Sequence, residues 1–297
     1  MGSSSPSGLA GVAGLAVLAM TAFAANSLLA RLALVETEID PASFSAIRLT
    51  SGAIFLAFVA YFRRRKLPSQ EGGMRQGSWP SALALFFYAV AFSYAYVQLH
   101  TGTGALILFG AVQVSMLIYG FSTGSRFNTT QWVGFIIACC AVIYLLSPGA
   151  VAPDLPSAGL MVLAGVSWAV YTLRGRGGDP TLMSAGNFMR TVPLCLVLCL
   201  VVMPQLNYDP SGGLYALLSG VVTSGLGYVI WYRVVPQISV VNAATIQLSV
   251  PLIAAGMGVL FVSEQVTPQL AIAAVGIVLG IGVVLRCASP VSPPKTH

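Results

Sequence analysis

The chain has 297 residues, of which 57% are apolar and only 7% charged, and its formal net charge is +6. A soluble domain averages about 25% charged residues, so these proportions exclude a water-facing globule and indicate a polytopic protein whose solvent is lipid. The positive balance does not indicate nucleic acid, because the basic residues stand at the ends of apolar runs rather than together on one face.

A bilayer core of roughly 30 Å takes about 20 apolar residues per helix. Ten such runs are present, over 8–34, 41–63, 80–98, 101–121, 129–147, 156–175, 181–204, 212–233, 238–261 and 267–287. In the first, Ala22-Phe23-Ala24 resembles a signal-peptide cleavage site, but no basic residue precedes the run and the apolar stretch continues for ten residues beyond it. It is therefore predicted to be a retained first helix. The connections are short. His100-Thr101-Gly102-Thr103-Gly104 leaves almost no loop between the third and fourth runs, and Gly177-Gly178-Asp179-Pro180 ends one helix with glycine and opens the next with proline. The tail 289–297 is predicted to be disordered, and the Asn128-Thr129-Thr130 sequon falls on the predicted cytoplasmic side.

Loop charge sets the orientation. With the N-terminus inside, the cytoplasmic loops hold Arg63, Arg64, Arg65, Lys66, Arg75, Arg126, Arg174, Arg176, Arg233, Arg286 and Lys295, 11 of the 14 basic residues. The opposite loops hold Glu36, Glu38, Asp40, Asp154, Asp209 and Glu264. Both termini are thus predicted to be cytoplasmic.

The chain also starts twice. Gly14 to Arg31 and Gly159 to Arg176 align at an offset of 145, with identity at Gly14, Leu15, Val17, Leu18, Ala19, Ala24, Leu28 and Arg31. Arg48 and Arg190 hold similar places in the second helix of each half. Five helices per half is an odd number, so the second half enters the membrane from the opposite side. Inverted repeats of this kind point to a transporter whose binding site lies at the repeat interface.

Polar and aromatic side chains inside spans have no partner in lipid and are the informative ones. Trp168 and Tyr171 share a face of the sixth run, and Tyr88, Phe92 and Tyr96 share one in the third. Tyr228, Trp231 and Tyr232 stand in the eighth, Gln113 in the fourth, Asn26 and Thr21 in the first, and Asn242, Thr245, Gln247 and Ser249 in the ninth. A wall of rings with a few amides suits a zwitterion with an apolar side chain, through stacking and cation–π contact. For Tyr94, Tyr96 and Tyr232 an interfacial belt fits as well, and Thr245 and Ser249 suit interhelical bonding. Trp168 lies too deep for a belt, and its indole N–H needs a partner. Arg48 and Arg190 fit two readings equally: a carboxylate contact or gate, or snorkelling and bonds to carbonyls.

No Asp or Glu lies within a span, which favours a facilitator or gradient-driven exporter over a carrier with a carboxylate proton relay. His100 stands at a helix end and suits a plain interfacial role. There is no P-loop, HExxH or intramembrane catalytic pair, so no enzyme is expected. The five cysteines show no CxxC or Cys/His zinc spacing, so no disulfide, metal or cofactor is expected either.

Trp168-Ala169-Val170-Tyr171-Thr172, Pro251-Leu252 and Ser263-Glu264-Gln265-Val266-Thr267, taken in order within the five-plus-five repeat, carry a family likeness. The chain resembles the EamA-type members of the drug/metabolite transporter superfamily over residues 8–287, and within them the bacterial aromatic amino acid exporters. The resemblance places a cavity tryptophan at Trp168 and a helix 3 tyrosine at Tyr88. It implies an inner-membrane protein that exports aromatic and some other amino acids. The chain departs from the pattern at Phe23, where tryptophan is usual, at Gln113, where proline is usual, and at Ser125-Arg126, where Gly-Glu is usual.

The reading that results is an all-α integral membrane protein of ten helices. One five-helix repeat occupies residues 1–150, and an inverted one, with a short tail, occupies 151–297. Its expected partners are amino acids and the bilayer, without nucleic acid or an obligate protein partner. The expected binding residues are Trp168, Tyr171 and Tyr88, with Asn26, Gln113, Asn242, Phe92 and Tyr96 alongside. A pore for small polar solutes, or the same fold with another small metabolite or drug as cargo, are the alternatives.

Overall fold

The computed structural model describes residues 6–65, 76–122, 129–146, 153–175, 179–238, 243, 246–247 and 249–286. Its helices are α1 (Pro6–Glu36), α2 (Pro41–Arg64), α3 (Trp79–Tyr96), α4 (Thr101–Ser122), α5 (Thr129–Leu146), α6 (Leu155–Arg174), α7 (Pro180–Val201), α8 (Pro210–Leu218), α9 (Gly227–Val234), α10 (Ser249–Val262) and α11 (Pro268–Arg286). A π-helical stretch, Ser219–Leu226, joins α8 to α9, so these three pieces form a single span. Residues 243 and 246–247 are also helical and extend the ninth span ahead of α10. Among the described residues, six spans, α1, α4 and α7 among them, are long and apolar enough to cross a membrane. Ala22-Phe23-Ala24 lies in the uninterrupted middle of α1.

The acidic residues start helices. The side chains of Asp40, Asp154, Asp179 and Asp209 accept backbone N–H bonds at the first turns of α2, α6, α7 and α8, each with proline at the first or second helical position. A carboxylate there satisfies orphan N–H groups and complements the positive end of the helix dipole. In a chain without span carboxylates, these caps fix where each helix leaves the interface.

The helix pairings repeat under exchange of the two halves. The repeat counterparts α2 and α7 pack on each other, and so do α5 and α11. The pairing of α3 with α6 is matched by that of α1 with the span α8–α9, and the pairing of α4 with α6 by that of α10 with α1. The fold is therefore two inverted five-helix repeats around a pseudo-two-fold axis, with α1, α3, α6 and the α8–α9 span meeting at the centre.

Two packing devices hold the halves together. Where α5 crosses α11, a Cβ on Gly134 or Gly280 would meet the other helix's backbone, the close approach that small residues allow in membranes. Where the π stretch crosses α2, a Cβ on Gly220 would overlap Ser51 Oγ and the Arg48 carbonyl. Large apolar side chains such as Val17, Phe58, Leu196 and Leu279 point outward. Polar side chains such as Asn26, Arg48, Gln113 and Thr223 are buried, the distribution expected of a bundle in lipid.

Candidate functional site

Trp168 is 2% exposed and stands at the axis between the halves. Its ring lies 4.8 Å from Tyr228, 5.0 Å from Tyr88, 5.5 Å from Phe23 and 5.7 Å from Tyr171. Tyr88 continues to Phe92 at 5.5 Å and Phe92 to Tyr96 at 4.6 Å, while Tyr171 continues to Tyr232 at 5.7 Å. The helical spacing of three and four residues puts each of these series on one helix face. Rings from α1, α3, α6 and α9 thus meet edge-on or tilted, which the ring quadrupole favours.

Polar partners come from within each half and, at Asn26, from across the repeat interface. Trp168 Nε1 donates to Gln247 Oε1 at 3.2 Å. The Asn26 amide donates to the Tyr88 hydroxyl at 3.4 Å, and its Oδ1 accepts from Ser219 at 2.6 Å and Thr223 at 3.0 Å. Ser219, Thr223 and Ser224 all belong to the π stretch, and such bulges recur at functional sites.

Arg48 is 1% exposed, with no acidic residue against it. Its Nε donates to Ser224 Oγ at 3.1 Å, and its Nη2 donates to the hydroxyls of Tyr88 at 3.2 Å and Tyr228 at 3.3 Å. Its guanidinium also lies 5.2 Å from the Tyr88 ring centre and 5.0 Å from that of Phe92. Insertion of an arginine at mid-depth costs about 2.5–3.5 kcal/mol. Here hydroxyls and ring faces, all neutral, offset that cost. Arg190 differs: its Nη1 donates to the carbonyls of Gly186 at 2.6 Å and Gln76 at 3.2 Å. Of the two arginine readings, Arg190 takes the carbonyl-bonded one, and Arg48 faces the ring cluster.

The structure brings Asn26, Tyr88, Phe92, Trp168 and Tyr171 into one group. Tyr96 joins it through Phe92 and leads toward the end of the bundle that holds the acidic residues, where its hydroxyl donates to the Thr101 carbonyl at 3.2 Å. Gln113 is buried on α4, which packs on α6. Asn242 and Thr245 lie outside the described residues. Sequence reasoning did not single out Ser219, Thr223 or Ser224. Their signal is a serine and threonine cluster between glycines, Ser219-Gly220-Val221-Val222-Thr223-Ser224-Gly225, in an otherwise apolar run.

The two ends of the bundle differ. At the acidic end Glu264 pairs with Arg31 at 3.4 Å and accepts from the backbone N–H and hydroxyl of Thr101, each at 2.9 Å. Arg31 also donates to the carbonyls of Tyr96 and Val97 at 3.2 Å. This network ties α1, α3 and α4 to the turn before α11 and closes that end. The exposed His100 stands 3.7 Å from Glu264. At the opposite, basic end, a cavity of about 440 Å³ is lined by Gly77, Ser78, Ser81, Leu173, Arg174 and Met183. The rings around Trp168 are in mutual contact, so the aromatic group is closed in this conformation and the cavity lies beside it, not within it.

A family model described as the EamA-like transporter family matches the chain twice, over residues 11–147 and 155–286. The uncharacterized protein PA1977 of Pseudomonas aeruginosa is 49% identical over 89% of this chain and 90% of its own length. The uncharacterized transporter YoaV of Bacillus subtilis is 22% identical over 82% of this chain and 87% of its own length. A solved crystal structure superposes with a TM-score of 0.66 at 20% identity, covering 91% of this chain and 97% of that one, and shows the same fold.

Proposed function

The chain belongs to the EamA-like transporter family, and on that premise we propose that it exports aromatic and other neutral amino acids, or lets them down their gradient, by alternating access between its two repeats. The observation that carries this reading is the buried group around Trp168, where rings from both halves meet amides and hydroxyls. A carrier of this kind opens by parting the halves, first toward one face and then toward the other, around a site at the repeat interface. Parting the halves would separate Trp168 and Tyr228 from Tyr88 and Phe23 and admit an aromatic side chain among rings that already prefer ring partners. The charge asymmetry supports a bacterial inner membrane setting, with the basic end and both termini in the cytoplasm. In that orientation the Arg31–Glu264 network closes the outer side and the cavity beside Arg174 faces the cytoplasm, as an exporter awaiting cargo would stand.

Uptake of labelled tryptophan and threonine into liposomes that hold the purified full chain tests this reading. The expected result is saturable uptake of tryptophan, with threonine taken up more weakly. Absence of uptake of either, in vesicles shown to contain folded protein, would move the cargo to another small metabolite on the same fold.

A further inference from the structure

A guanidinium carries five N–H donors. In Arg48, Nε–H is bonded to Ser224 and the two Nη2 protons to Tyr88 and Tyr228. Nη1 is buried and has no hydrogen-bond partner. Its surroundings hold more donors than acceptors. The Tyr88 oxygen accepts from both Arg48 and Asn26, and the Tyr228 oxygen accepts from Arg48; the two hydroxyls also bond to each other, so one of their protons is engaged and the other remains to be donated. Of the amide acceptors nearby, Asn26 Oδ1 is filled by Ser219 and Thr223, and Gln247 Oε1 already takes Trp168. No carboxylate in any span offsets the charge. Arg190, about one turn further into the counterpart helix α7, has carbonyl partners for its Nη1, whereas the Nη1 of Arg48 has none.

We propose that Arg48 Nη1, with the hydroxyls of Tyr88 and Tyr228, is the anchor for a carboxylate on the cargo, and that the cargo's amino group is dispensable. This rests on the carrier reading above and narrows it. A carboxylate supplies the charged acceptor that a buried guanidinium lacks, through charge-assisted bonds about twice as strong as neutral ones. An ammonium would meet the Arg48 cation and its hydroxyl donors, with ring faces and the remaining lone pair of Gln247 Oε1 to favour it. The ligand class is therefore the aromatic monocarboxylate, with aromatic amino acids as members, whereas an aromatic amine without a carboxylate is refused.

The test is the shift in thermal unfolding midpoint of the purified full chain with tryptophan, indole-3-propionate or tryptamine, repeated on Arg48→Gln. Tryptophan and indole-3-propionate are expected to stabilise the wild type and tryptamine is not. Arg48→Gln is expected to weaken both carboxylates by about tenfold or more, the loss of a hydrogen bond to a charged group. Stabilisation by indole-3-propionate but not tryptophan supports the anchor and counts against amino acids as cargo. Stabilisation by tryptophan but not indole-3-propionate overturns the anchor and leaves the amino-acid reading in place. Stabilisation by tryptamine as strong as by indole-3-propionate, or a folded Arg48→Gln that holds the carboxylates within about twofold of wild type, overturns it as well. Silence from all three ligands overturns both proposals. If Arg48→Gln does not fold, the three wild-type shifts alone decide between these outcomes.

Discussion

Trp168→Ala is expected to lose about 3–5 kcal/mol of stability, the range for deleting a large aromatic side chain from a packed core, and to weaken tryptophan uptake together with it. The indole lies within 5.7 Å, centre to centre, of four other rings, one on its own helix and three on three further elements, so its removal leaves a cavity at the point where the halves meet. It also strips the donor from Gln247 Oε1, which would then be buried without a partner. Trp168→Phe separates the two effects. It keeps a ring, loses the N–H bond and leaves a smaller void than alanine does, and about 1–3 kcal/mol is the expected cost of the unpaired amide oxygen. Thermal unfolding in detergent together with saturation kinetics in liposomes reads both. If Trp168→Ala takes up tryptophan with unchanged KM and maximal rate, Trp168 has no part in the binding site.

Gly220→Ala is expected to destabilise the fold by at least the ~1–3 kcal/mol typical of overpacking. The added Cβ would overlap the Arg48 carbonyl and Ser51 Oγ, and a backbone carbonyl in a membrane helix has nowhere to retreat without breaking its own helical bond. The same displacement would move Arg48 and Ser224, which face each other across this crossing. Gly159→Ala is the control, because a Cβ there meets nothing within 4 Å. A fall in unfolding midpoint for Gly220→Ala with no change for Gly159→Ala is the expected pattern. Equal midpoints would mean that the π stretch does not pack on α2 as closely as described.

Much of this architecture was legible in the sequence, and the reason is physical. Lipid forces every span to be a long apolar helix, so the ten runs, the repeat and the aspartate–proline starts such as Asp179-Pro180 were all visible in residue types. The sixth-helix pair Trp168 and Tyr171 was legible too, because a ring so deep in a span needs a protein partner. The π stretch was not, since Ser219–Leu226 carries no local signal that separates it from an α-helix with glycines. The partners of Arg48 were also hidden. They lie 40, 176 and 180 residues away, and the choice between them depends on which helix faces meet. The same holds for Glu264. The family turn that contains it was recognisable, but its pairing with Arg31 and Thr101 needed the packed bundle.

Arg48 and Arg190 show how paired helices of the two halves are put to unequal use. Both residues occupy the second helix of their half. One is held by backbone carbonyls at the basic end and the other is turned toward rings from both halves. In the proposed carrier, symmetry would supply two mirrored openings for alternating access, while cargo recognition would fall to the residues around Trp168.

The central claim is that cargo passes a closed aromatic core by turns of the two halves, and tryptophan counterflow tests it most directly. Liposomes that hold the purified chain are preloaded with unlabelled tryptophan and diluted into a trace of labelled tryptophan. A carrier predicts a transient overshoot of label inside, lost in Trp168→Ala. Label that rises monotonically to equilibrium and does not saturate would contradict alternating access and identify a pore instead.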